Sequence, residues 1–260
     1  MRHTFLNTLA ISAILPAMLP AQTPKAAHPD LSGVWSYAID LPPGAIKKEV
    51  NGAVTIQKFN RGATVAQTAI RGALPSTPEP SYKPELQAKV KSLFDNESKT
   101  DQVFYCGKPG IPRIGPPRKI VQTPTEVIFF YEDISGDPYR IIPTDGRPHW
   151  ADADPTYYGD SVARWDGNTL VVDVKNFVED TWFGENGYFH SDAMHVTERL
   201  WKDGENLIYQ VTVDDPKVLT APWTEAPKVV KPSTEPLEES PRCVEADASR
   251  LVNNDHHGQR

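Results

Sequence analysis

Residues 157–201 read YYGDSVARWDGNTLVVDVKNFVEDTWFGENGYFHSDAMHVTERLW, and this stretch decides the fold class. Segments 159–165 and 169–174 are short strand-like runs, and Asp166-Gly167-Asn168 between them is a Gly-bearing turn of the kind that closes a β-hairpin. A third run, 195–201, follows a loop rich in Gly and aromatics that holds His190, Asp192 and His195.

Working outward, the same pattern recurs at short intervals. Downstream, NLIYQVTV (206–213) follows the turn Lys202-Asp203-Gly204-Glu205. Upstream, 119–123 and 126–132 flank Pro124-Thr125, and YRIIP (139–143) follows Ser135-Gly136-Asp137-Pro138. Near the start, LSGVWSYAI (31–39) alternates as a strand does. These runs add up to about eight strands with a turn every ~8–12 residues, which predicts an all-β, mainly antiparallel barrel or sandwich. No crossover helices separate the strands, so a parallel α/β sheet is excluded.

One helix is expected over 83–94, where proline sits in the first turn and Leu86, Val90, Leu93 and Phe94 recur at helical spacing. It is expected on the outside of a sheet. Residues 42–81 read as irregular connection around a strand-like piece at 53–59, and 104–118, dense in Pro and Gly, as an extended loop. The Pro- and Glu-rich stretch 226–243 is expected along the surface.

A chain of 260 residues with 39% hydrophobic content can form one substantial core. The first 21 residues have a basic start at Arg2 and His3, an apolar run and a small residue at Ala21, the pattern of a cleaved signal peptide. A membrane anchor needs about 20 uninterrupted apolar residues, and Asn7, Thr8, Pro16 and Pro20 break this run. The expected organisation is signal peptide 1–21, linker 22–30, barrel domain 31–244 and disordered tail 245–260. The product would be periplasmic or secreted, with no membrane segment after cleavage. A net charge of −7 without a basic stripe argues against nucleic acid as partner. Cys106 and Cys243 suit an oxidising compartment as a disulfide; the other reading, a free nucleophilic Cys106, lacks a neighbouring His or second Cys.

Chemistry concentrates in H-x-D-x-x-H, His190, Asp192 and His195. If the loop folds back, Asp192 can fix the tautomer of one histidine as general base. A metal reading would recruit His149, Asp152 or Asp154, but the spacing matches no zinc motif. A third reading is a turn capped by Asp192, its histidines packed or solvated. Arg140, beside Tyr139, and Arg147 are candidate anion holders; the competing reading pairs Arg140 or Arg199 with Glu198 or Glu132. Tyr131, Trp182 and Phe189 are candidate contacts for an apolar or aromatic ligand, the last two as parts of a lid between glycines. G-x-S-x-G, phosphate-loop, dinucleotide and H-E-x-x-H motifs are absent, and no cofactor is expected.

The segments PDLSGVW, CGKPGIPR, IVQTPTEVIFFYE, RIIPTDGRPH, GDSVARWDGNTLVVDVKNF, HSDAMHVTERLW and VDDP followed by PW, in this order, resemble a family of secreted bacterial proteins described as lipocalin-like or calycin-like. The likeness covers nearly all of the chain beyond the signal. It implies a single lipocalin-like β-barrel outside the cytoplasm. Many members have Gly where Ala163 stands in SVARW, so a close backbone approach there is altered. A second, fainter similarity is to cofactor-independent lyases and decarboxylases that act on plant-derived phenolics. The expectation that follows is a cofactor-independent lyase or isomerase for a small aromatic carboxylate, with His190 or His195 moving the proton, Tyr139 donating to a developing anion, and Arg140 or Arg147 binding the carboxylate. The alternatives are a carrier for a small hydrophobic molecule and a metal-dependent hydrolase.

Overall fold

The computed structural model describes residues 28–36, 46–50, 53–57, 77–240 and 243. The expected signal peptide, most of the linker and the tail beyond 244 lie outside the described residues.

Nine strands follow one another around a nearly closed barrel. In chain order they are β1 Gly33–Ser36, β4 Lys119–Gln122, β5 Glu126–Phe130, β6 Tyr139–Pro143, β7 Asp160–Asp166, β8 Thr169–Lys175, β9 His195–Asp203, β10 Asn206–Asp214 and β12 Lys228–Pro232. Their order around the sheet is β6-β5-β4-β1-β12-β10-β9-β8-β7, and the two-residue β11, Trp223–Thr224, pairs with β10. A separate hairpin joins β2 Ile46–Val50 to β3 Ala53–Gln57.

Period-two alternation supplies the core. Along β9, Val196, Glu198 and Leu200 are buried while His195, Thr197, Arg199 and Trp201 face outward and are half-buried. Facing them across the register lie Val172 on β8 and Val211 and Tyr209 on β10. Trp35, Ile120, Val127, Phe129, Ile142, Leu207 and Val230 fill the rest of the inner face. The inner face is therefore mostly hydrocarbon.

Eight antiparallel steps separate β6 from β7, so the two rims run parallel and no antiparallel ladder can join them. Arginines bridge this seam instead. Inside, Arg140 on β6 reaches Ser161 on β7 at 2.7 Å. Outside, Arg147 donates to the Ser161 carbonyl and to Asp160. The connection 144–159 thus runs back over the outer face of β7.

Three expectations need correction. Residues 228–232, assigned to a surface tail, form β12, a strand of the barrel wall between β1 and β10. The helix is a 3-10 turn, Pro84–Leu86, running into α1, Gln87–Asp95. It packs on the β8–β9 loop rather than on a sheet: a Cβ on Gly187, at φ 77°, would lie 2.7 Å from the Val90 carbonyl oxygen. Phe94, placed on its apolar face, is exposed. Cys106 and Cys243 form the expected disulfide.

Candidate active site

His190, Asp192 and His195, the group singled out by spacing in the sequence, do not converge. His190 is buried against the edge of Phe177. Its Nδ1 faces the Ser191 carbonyl at 2.9 Å and must donate, since a carbonyl only accepts; Nε2 therefore accepts from Thr181 Oγ1 at 2.7 Å. Burial lowers the pKa of this ring and favours its neutral form. Both nitrogens are spoken for, and the ring is a structural peg.

Asp192 contacts neither histidine. It is exposed and pairs with Lys217, whose ammonium lowers its pKa. The carboxylate that organises this loop is Asp215, fully buried and accepting from the Ser191 amide and hydroxyl and the Lys217 amide. Tyr139 points outward on β6 and is 62% exposed. Trp182 and Phe189 are not a lid: both are buried, bridged to each other by backbone, in a cluster with Tyr82, Phe183 and Trp223 beneath α1. Lys89 of α1 lies 3.7 Å over the Phe189 ring.

Arg140 and Tyr131 lie inside the barrel. Arg140 makes a buried ion pair with Glu198 at 2.7 Å and donates to the Tyr131 hydroxyl at 3.0 Å; Tyr209 donates to the other Glu198 oxygen at 2.8 Å. Burial works against the guanidinium charge, but Glu198 outweighs it and holds Arg140 more firmly protonated than usual. Burial raises the pKa values of Tyr131 and Tyr209. Every Arg140 contact here is intramolecular, so it does not present a free fork to a carboxylate.

His195 is different. It stands on the outer face at the start of β9, one third exposed, with Nε2 2.7 Å from Asp173 Oδ2 on β8. The other Asp173 oxygen lies 2.6 Å from Nε2 of His149, and His149 Nδ1 lies 2.8 Å from Asp160 Oδ2. Asp160 also accepts from the Trp150 amide and from Arg147. The result is a continuous chain, His195, Asp173, His149, Asp160, running across three strands and the 144–159 connection.

Protonation follows from this wiring. Burial raises the Asp173 pKa, but hydrogen bonds from His195 and His149 outweigh it and bring it down to about 2. At Asp160 burial is likewise overcome, by His149, the Trp150 amide and Arg147, and its pKa is lowered. The His149 ring lies between the two carboxylates, with each ring nitrogen within hydrogen-bonding distance of one of them. His195 donates through Nε2, which leaves Nδ1 as its basic atom. Among the described residues, Nδ1 of His195 has no hydrogen-bond partner. Lys175, exposed, stands 4.0 Å from Asp173.

Arg147 is held by Asp160 and the Pro148 carbonyl, and stacks at 4.9 Å on Trp150, a residue that is 67% exposed. No group of three or more His, Cys, Asp or Glu among the described residues is arranged to hold a metal ion. The sequence reading missed Asp160 and Asp173, although the hairpin carried the signal. A turn at Gly167 sets Val162 opposite Asp173 and puts Asp160 on the same outer face two positions away. Comparison with protein-family models, with curated proteins and with solved structures finds no match to this chain.

Proposed function

We propose that the protein is a cofactor-independent acid–base enzyme, a lyase or isomerase acting on a small aromatic carboxylate, and that its base is His195 Nδ1. The observation that carries this reading is the 2.7 Å contact of a partly exposed histidine with a carboxylate held ionised. Such a contact fixes the tautomer and stabilises the imidazolium formed when the base takes a proton. Asp173 is the positioning residue. Lys175 supplies the accessible cation for the substrate carboxylate, in place of Arg140 and Arg147, and the exposed Trp150 ring offers a stacking face. The disulfide fits a protein that works outside the cytoplasm.

The test is incubation with a panel of hydroxycinnamic and hydroxybenzoic acids in D2O, followed by mass spectrometry for loss of CO2 or uptake of deuterium. His195→Ala and Asp173→Asn should each lower kcat by about 100-fold or more, with Asp192→Ala unchanged. Absence of any conversion or exchange across the panel, or a His195→Ala variant within twofold of the parent, would overturn the proposal.

A further inference from the structure

A hollow opens at the opposite end of the barrel from His195, among the β4–β5 turn, Thr144 and the inward position Trp165 near the end of β7. Its volume is about 170 Å³. Val127, fully buried, lies at its base, and Trp165 packs against the core. Gln122, Thr123 and Thr144 bring polar groups to its wall.

This hollow already shows what it prefers. The His28 ring lies on Trp165 with centroids 4.6 Å apart and planes 3° from parallel. Yet His28 is held loosely: its hydrogen bond in the described structure is an exposed 3.3 Å contact from Nδ1 to the Gly167 carbonyl. A flat ring stacked on an indole and weakly tethered is a stand-in that a better-fitting ring can displace.

Size sets the class of ligand. An enclosed apolar cavity of roughly 150 Å³ takes up benzene; this hollow is open on one side and has about 170 Å³ with His28 in place, so displacing the His28 ring leaves room for one ring with a small substituent. The wall adds polarity. Gln122 uses its oxygen to accept from the Leu31 amide, and among the described residues its NH2 group and the Thr144 hydroxyl have no protein partner, so both are available to a ligand hydroxyl. No charged side chain lines the hollow, which favours a neutral ligand.

We infer that this rim hollow is a binding site for a neutral one-ring phenol, stacked on Trp165 in the place His28 now occupies. It is independent of the acid–base chemistry at His195, and His28 is its built-in competitor.

Titration of the protein with p-cresol, followed by calorimetry and by the indole N–H resonance of Trp165, tests this, with cyclohexanol as the non-planar control. His28→Ala should bind p-cresol several-fold more tightly than the parent, Trp165→Leu at least tenfold more weakly, and Gln122→Leu with Thr144→Val should bind p-cresol less well but toluene equally well. Cyclohexanol should produce no shift. The inference is overturned if His28→Ala binds equally or more weakly, if cyclohexanol matches p-cresol, or if the folded Gln122→Leu/Thr144→Val variant and the parent do not differ.

Discussion

Asp173 accepts a hydrogen bond on each oxygen from a different imidazole while about a third of its side chain remains in contact with solvent. Its folded pKa, about 2, lies below the roughly 3.9 of an unfolded aspartate. A group whose pKa is lowered on folding contributes stability that is fully present above its unfolded value and is lost as pH falls through its folded one. The window is therefore between about pH 4 and about pH 2. The difference would correspond to about 2.5 kcal/mol for a shielded group, and solvent screening reduces this to about 1 kcal/mol. Asp160, lowered for similar reasons, loses stability with the same sign, so the parent alone cannot isolate Asp173. Urea midpoints of the parent and Asp173→Asn at pH 5 and pH 2.5 separate them. The parent should lose about 1 kcal/mol more than the variant between the two pH values, and equal losses would show that Asp173 does not titrate with folding.

At the level of strands, the weak point is the parallel seam between β6 and β7, which side chains hold where backbone pairing is missing. Glu198 and Arg140 meet there within a hydrocarbon interior, where Tyr131 and Ser161 accept from Arg140 and Tyr209 donates to Glu198, while Arg140 Nε has no partner among the described residues. Removing one partner strands the other charge, so Glu198→Gln and Arg140→Met should each cost about 3–5 kcal/mol. The double variant Arg140→Met/Glu198→Leu should cost clearly less than the sum, since no buried charge is then left uncompensated. Additive losses in chemical denaturation would deny the coupling. Most strands around this seam could be read from short alternating runs between turn signals, even though Arg140, Ser161 and Glu198 interrupt the apolar inner positions of β6, β7 and β9. Strand β12 could not: KVVKP offers two apolar residues between lysines and ends in proline, and it becomes a strand only because β1 and β10 present open edges on either side. The hydrogen-bonded chain from His195 to Asp160 was hidden for a related reason. Its four members come from three strands and a loop, and a one-dimensional spacing such as H-x-D-x-x-H favours neighbours in sequence, which here point into different environments.

The molecule as a whole depends on where its C-terminal segment is fastened. After β12 leaves the barrel, the chain crosses to the loop following β5: the Glu238 amide donates to Glu132, Ser240 donates to Asp137, and the Cys243 amide to the Ile134 carbonyl. The disulfide then ties Cys243 to Cys106, 137 positions earlier. Closing a loop of that length stabilises the folded state by about 5 kcal/mol in the chain-entropy account. Because β12 lies between two other strands, its withdrawal would divide the sheet between β1 and β10, so the covalent tie protects barrel continuity as well as chain entropy. Cys106→Ser/Cys243→Ser should therefore lose about 3–5 kcal/mol in urea denaturation and become cleavable by protease between β12 and Cys243 under native conditions, while keeping its β-sheet circular dichroism. An unchanged midpoint together with unchanged protease resistance would mean that the hydrogen bonds of the crossing segment hold β12 in place without the covalent bond.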